Sequence, residues 1–515
     1  PAAVLSMMKQ YAGETEVVHR CVRIVSNLLQ FVSIVSTQLE EMLGIATQSV
    51  KESSCSEEAM IDTFALYRNA AKNPADYAGL ICNQNVVATT VALLQCNLRK
   101  KVVASAALAA LVALTVPTDS HLQMATKEGM KTTQDVMSTY EKTALDLYTN
   151  ALEILDNLAL NPSMTYSVLT AEVVKRALEA VTVLRSEEKY LVVALSLITR
   201  LQDLDGKKRF EKDLLSDRVV ETCLFALQTY SGARTIHFCC VLLLRAMQDA
   251  KRKSTILTES TVAKLVELLT SQREDEEVCG DLLDVLVFCA EGDKKTLLQN
   301  KDVAVPTNEI IKKYYHSQSL VEKCLSLLSM LSSLGDLNIQ QILSSMTDYP
   351  SSSNVQRDAL ATLGCFLRAN TKNAAVLLNL KGIPLCVRAV DRFFDDLAIQ
   401  VNGLQVLSLL SQSDDCLSAL VASTAPEVSI RSIKRFGKEE SVVMSTMQLL
   451  SRCATVSSEF ITNSSSLDYI IEVVLDWKEK DVILLNGCRL ITLCAGDSRL
   501  GHGMIDSGVL EILTR

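Results

Sequence analysis

Aromatic residues make up only 5% of this 515-residue chain, and glycine and proline together number 26. That scarcity argues against the tight turns and aromatic faces on which β-sandwiches and barrels depend, and favours leucine- and alanine-rich helices. Long hydrophobic runs are also missing. The most apolar stretch, Val102 to Val116, has 15 residues including Ser105 and many alanines, short of the ~20 that a membrane span needs. It reads as a helix buried on nearly every side. None of the 16 cysteines forms a CxxC pair, and apart from Cys239 and Cys240 they are scattered singly through apolar patterns. Such thiols act as small hydrophobes, which predicts a reducing, cytoplasmic setting without disulfides. No signal peptide is visible.

Catalytic signatures are absent as well. There is no Walker loop, HExxH, GxSxG or EF-hand pattern. The five histidines, His19, His121, His237, His316 and His502, are far apart, and His237 with Cys240 supplies only two of the ligands a zinc site requires. Gly501-His502-Gly503 has no preceding strand and reads as an inter-helix turn. The expectation is a protein with no enzymatic activity, cofactor or metal. A net charge of −9 argues against nucleic acid and anionic membrane as partners and for other proteins. Two charge runs, Lys251–Lys253 and Arg273–Glu277, read as solvated segments between helices.

What the chain does have is a repeat. Single cores stop growing at roughly 250–300 residues, so a chain this long is either several domains or an elongated array. Within the apolar stretch, Leu111 and Leu114 form a Leu-x-x-Leu pair, and apolar pairs at this spacing recur throughout. Their first members are Val25, Tyr67, Leu111, Leu155, Ile198, Leu244, Leu286, Leu328, Leu363, Leu407, Leu450 and Ile491. The successive separations are 42, 44, 44, 43, 46, 42, 42, 35, 44, 43 and 41 residues. All but the 35-residue interval fall within the period of about 40–47 residues of helical solenoids.

Each period has internal order. From Asp395 to Phe436 a long apolar-periodic helix is followed by a short helix and, after Ala425-Pro426, by a third. Pro74, Pro117 and Pro162 stand where the long helix should stop, and Pro306, Pro384 and Pro426 are expected in other inter-helix turns. Asn486 to Leu513 resembles the third helix of one armadillo repeat running into the first two helices of the next, and Lys381 to Val390 resembles the turn opening an armadillo second helix. The resemblance covers essentially the whole chain. It implies an all-α, right-handed superhelical solenoid of about twelve three-helix repeats spanning 1–515. The 35-residue interval predicts an irregular repeat and a superhelix break near 332–354. Both ends read as second helices under way and neither carries the polar cap that solenoids need, so a segment of a longer chain is expected.

The resemblance further implies that third helices line a groove in which asparagines can bind an extended peptide. Positions −5, −2 and +2 from each anchor, which are separated by steps of three and four residues, stay on one face of that helix. They select Arg23, Asn27, Asn69, Asn157, Arg200, Asn402, Gln405, Gln448, Arg452, Asn486 and Arg489 as candidate partner-binding residues. Ala106, Ala109 and Ala113 break the polar row, and Phe288, Met330, Leu409 and Leu493 make it partly apolar, a mixture suited to an extended or helical protein segment. Nuclear-transport adaptors of this superfamily pair such asparagines with groove tryptophans. Here the single tryptophan, Trp477, lies in a second-helix pattern, which disfavours that role. The expected function is a non-catalytic scaffold within a larger complex, by analogy cytoskeletal or ciliary. The alternative is a client-binding chaperone of the myosin-chaperone type.

Overall fold

The computed structural model describes residues 1–51, 55–72, 79, 84–291, 298, 302–331, 339–370, 372–461 and 464–495. Among the described residues every regular element is a helix and there is no strand. The twelve predicted anchors each fall in a long helix, and we number these twelve only: α1 Thr15–Leu28, α2 Glu57–Ala71, α3 Lys101–Leu114, α4 Leu145–Ala159, α5 Glu188–Leu204, α6 Ala233–Ala246, α7 Glu276–Ala290, α8 Gln318–Met330, α9 Ser353–Ala369, α10 Leu397–Leu410, α11 Glu440–Cys453 and α12 Asp481–Ala495. Eleven of the anchors are buried, and Leu244 is half-buried.

Local chemistry sets the helix boundaries. Side chains at the N-terminal caps accept from the backbone N–H three residues on, as Ser56 does from Ala59, Asp275 from Val278, Ser352 from Val355 and Asp396 from Ile399. Each such cap satisfies a donor that the first turn leaves without a helical partner, a contribution of about 1 kcal/mol. At the other end of α3 the chain turns by 116° into Thr118–Met124, with Pro117 in extended conformation at the bend. No single helix among the described residues is long and apolar enough to cross a membrane.

Two compact units divide the chain, Pro1–Ile256 and Leu257–Arg515, each holding six of the long helices. Within each unit consecutive long helices lie against one another, and the second helix of each repeat packs on them. In the first unit these second helices include Val86–Cys96, Lys127–Tyr140, Ala171–Val183 and Asp217–Thr229. In the second they include Glu259–Ser271, Ala304–Lys313, Ile339–Asp348, Gly382–Arg392 and Ala425–Phe436. Between the two helix types contact is close: a Cβ on Gly403 of α10 would stand 2.2 Å from Val390 Cγ2.

Two expectations need correction. Pro306, Pro384 and Pro426 lie inside the first turns of second helices, not in turns between helices. The first-turn N–H groups have no acceptor in the helix, so proline removes nothing there. The stretch Val102–Val116 is not buried all round. Val103, Ala107, Leu108, Leu111 and Leu114 are buried, but Val102 is 65% and Val116 61% exposed. α3 packs against α2, α4 and the second helix Val86–Cys96, which leaves part of its circumference open, and Val116 lies beyond its last residue, Leu114. Of the irregular repeat near 332–354, residues 332–338 lie outside the described residues, and the rest holds the helix Ile339–Asp348 and the turn leading to α9. Pro74, Gly501-His502-Gly503 and the C-terminal second-helix pattern also lie outside them.

Candidate partner-binding face

The candidate residues project from seven of the twelve long helices, α1, α2, α4, α5, α10, α11 and α12. At four of the positions two residues after an anchor, the side chain reaches back to the end of the preceding long helix. Asn69 on α2 donates from Nδ2 to the carbonyl and the Oγ of Ser26, at 3.0 and 3.1 Å. Asn157 on α4 donates to the carbonyl of Val112 at 3.4 Å and to Thr115 Oγ1 at 3.2 Å. Arg200 on α5 donates to the carbonyl of Asp156 at 2.8 Å. Arg452 on α11 donates from Nε to the carbonyl of Ser411 at 3.1 Å and from Nη2 to Asp414 at 2.8 Å. These acceptors sit in or just past the last turn of the preceding helix, where carbonyls run out of helical N–H partners. The donors therefore act as C-terminal caps supplied by the next repeat.

Other candidates are tied to neighbouring long helices without capping them. Asn402 on α10 donates to the carbonyl of Arg357 at 3.2 Å, Gln448 accepts from Ser408 at 2.9 Å, and Asn486 accepts from Ser451 at 3.0 Å. Arg23 on α1 donates from Nε to Asp62 at 2.7 Å. Asn69 is 2% exposed, so it joins two helices and presents nothing to a partner. By contrast Asn27, Gln405 and Arg489 make no side-chain hydrogen bond or ion pair among the described residues; Asn27 and Arg489 are exposed and Gln405 is half-exposed. Exposed apolar side chains stand on the same helices, at Ile24, Val102, Leu397, Val482 and Leu485.

Two interhelix polar clusters went unrecognised in the sequence, the first part-exposed and the second buried. Asp62 accepts from Arg23 and contacts His19 Nε2, so α1 and α2 are joined by a three-residue polar contact. Asp156 is 6% exposed; Ser196 donates to both of its carboxylate oxygens at 3.1 and 3.0 Å, and Arg200 Nη1 lies 3.1 Å from Oδ2. Burial pushes the Asp156 carboxyl up to about 6, against the pull of Arg200, Ser196 and Arg234. Asp156 stands immediately after its anchor, a position the face selection skips. The partners lie 40 and 44 residues away, one repeat on, and that separation is the signal that could have found them. Among the described residues no group of three His, Cys, Asp or Glu side chains is gathered as if for a metal ion.

No protein-family model matches the chain, and no curated protein matches it in sequence. Solved structures do. Its coordinates superpose on a β-catenin structure, from work on a phosphorylation switch controlling the interaction between cadherin and β-catenin, with a TM-score of 0.64 over 100% of this chain and 99% of that one, at 13% identity. The chain has the armadillo-repeat fold. SYS-1 is a second armadillo neighbour, with a TM-score of 0.50 over 96% of this chain and 98% of that one, again at 13% identity. At such identity the likeness shows the armadillo fold alone.

Proposed function

We propose that the chain is a non-catalytic scaffold that binds segments of other proteins along the face formed by its third helices. One observation carries this reading. While Asn69, Asn157, Arg200 and Arg452 are used in inter-repeat caps, other third helices present exposed apolar side chains beside polar groups that make no side-chain hydrogen bond or ion pair among the described residues. On α12 these are Arg489 with Leu485, 71% exposed, and Val482, 46% exposed. On α1 they are Asn27 with Ile24, 49% exposed. A row of apolar anchors flanked by free hydrogen-bonding groups is the surface a peptide segment needs. The fold shared with β-catenin, described in its interaction with cadherin, supports the same class of role. The setting we assign, a cytoskeletal or ciliary assembly, rests on analogy with other armadillo proteins.

The test is affinity purification with quantitative mass spectrometry, comparing the wild-type chain with a Leu485→Asp, Arg489→Glu variant of unchanged circular dichroism. Loss of a defined set of captured proteins supports the face, and cytoskeletal or axonemal identity of that set supports the setting. An identical captured set from both proteins rejects the face as the binding surface.

A further inference from the structure

Two consecutive repeats of the second unit use the same backbone register but differ at two side chains, and that difference leaves a pair of arginines without counter-ions among the described residues. The register is fixed by matching glutamines. Gln356 donates to the carbonyls of Met346 and Tyr349 at 2.9 and 3.0 Å, and Gln400 donates to those of Val390 and Phe393 at 2.7 and 3.0 Å. Donor and acceptors all shift by 44 residues between the repeats, so Thr347 and Ser351 correspond to Asp391 and Asp395. In the later repeat those two aspartates pair with arginines of the next second helix, Asp391 with Arg431 and Asp395 with Arg435.

One repeat earlier the arginines are present and the carboxylates are not. Arg388 and Arg392, one turn apart on Gly382–Arg392, occupy the places of Arg431 and Arg435. Opposite them stand the hydroxyls of Thr347 and Ser351. Arg392 donates to Ser351 Oγ at 2.7 Å, and Arg388 makes only a 3.4 Å bond to the carbonyl of Pro384. Thr347 Oγ1 donates to the carbonyl of Leu343 at 2.9 Å. A cavity of about 340 Å³ lies at this place, with Thr347, Arg388 and Arg392 in its wall. The carboxylates nearby are Asp391, which also lines it but is held by Arg431, and Asp348, which is exposed; neither pairs with Arg388 or Arg392. The two second helices carry five cations against two carboxylates, in a chain whose net charge is −9.

We propose that this cavity is a phosphoryl-binding site, in which one dianionic group takes the place of the two missing aspartates. The charge count selects the ligand. The neighbouring repeat satisfies its arginines with two single negative charges, and a phosphate at neutral pH carries about −1.5 to −2 on one compact group. Guanidinium groups bind such oxyanions through paired, charge-assisted hydrogen bonds. The group arrives either as free phosphate or on a phosphorylated side chain of a partner segment. The site lies between second helices and is separate from the third-helix face.

Isothermal titration of the full chain with inorganic phosphate, at fixed ionic strength set by chloride, tests the proposal. Wild type binds. Arg388→Gln with Arg392→Gln weakens binding by at least about tenfold, as expected for losing two charge-assisted contacts. Arg435→Gln, whose arginine already pairs with Asp395 outside the cavity wall, leaves phosphate binding intact. Thr347→Asp with Ser351→Asp rebuilds the ion pairs of the next repeat, so it abolishes phosphate binding while raising Tm. This variant keeps the test decisive should the arginine variant fail to fold. A phosphoserine peptide that binds more tightly than free phosphate assigns the group to a partner segment, and equal affinity assigns it to free phosphate. No phosphate binding by wild type, or equal binding by wild type and the Arg388, Arg392 variant, overturns the proposal.

Discussion

Arg200 on α5 caps the end of α4 twice: one guanidinium nitrogen lies 2.8 Å from the backbone oxygen of Asp156 and 3.1 Å from its carboxylate. Removing the cation strands a carboxylate and a last-turn carbonyl in a buried place. Arg200→Met should therefore destabilise the protein by about 2–3 kcal/mol, below the full cost of breaking a buried pair because the Arg200 side chain is 23% exposed. Urea unfolding followed by circular dichroism measures it, and a change within error would contradict the capping role.

The same carboxylate sets a pH dependence. Its native pKa of about 6 lies above the ordinary 3.8, so the folded protein holds this proton more tightly than the unfolded chain does. The contribution of Asp156 is therefore fully present below about pH 4 and is lost as the pH rises through about 6. Asp156→Asn should flatten this part of the stability curve, by on the order of 2–3 kcal/mol across that window. Parallel curves for wild type and variant would rule the effect out.

On α3 a pair of substitutions separates the buried from the open side. Leu111 is fully buried, and Leu111→Ala should cost about 2–5 kcal/mol. Val102 is 65% exposed, and Val102→Asp should change stability by no more than about 0.5 kcal/mol. Thermal and chemical denaturation of the two variants side by side checks the assignment, and a large loss for Val102→Asp would restore the fully buried helix that the sequence suggests.

Among the face residues, stability and binding should come apart. Asn69→Ala deprives the Ser26 carbonyl of its cap and should cost about 1–3 kcal/mol. Replacing Asn27, Gln405 and Arg489 together by alanine should leave Tm nearly unchanged and weaken capture of partners in a pull-down. If the triple variant loses stability and keeps its partners, the division into capping and partner-facing residues fails.

Much of this was legible in the sequence. The all-helical class, the period and all twelve long helices follow from the spacing of apolar pairs, because that spacing reflects local helix geometry that each segment carries by itself. The candidate face was legible only as a direction. Nothing about Asn69 and Asn27, each two residues after its anchor, distinguishes them in the sequence, yet the structure buries one against Ser26 and leaves the other exposed. The prolines at 306, 384 and 426 mark helix starts as readily as turns, and only the backbone path tells the two apart.

By itself the sequence determined the helical class, the repeat period, the place of each long helix and which side chains point the same way, since these depend on neighbours within a few positions. Tertiary structure decided which of those side chains are free. Whether Asn157, Arg200 or Arg452 is spent depends on a carbonyl about 40 residues earlier, and whether Arg388 has a counter-ion depends on Thr347 standing where the next repeat has Asp391. Those pairings exist only once one repeat is laid against another, because the acceptors are backbone oxygens and side chains that approach only when consecutive repeats pack.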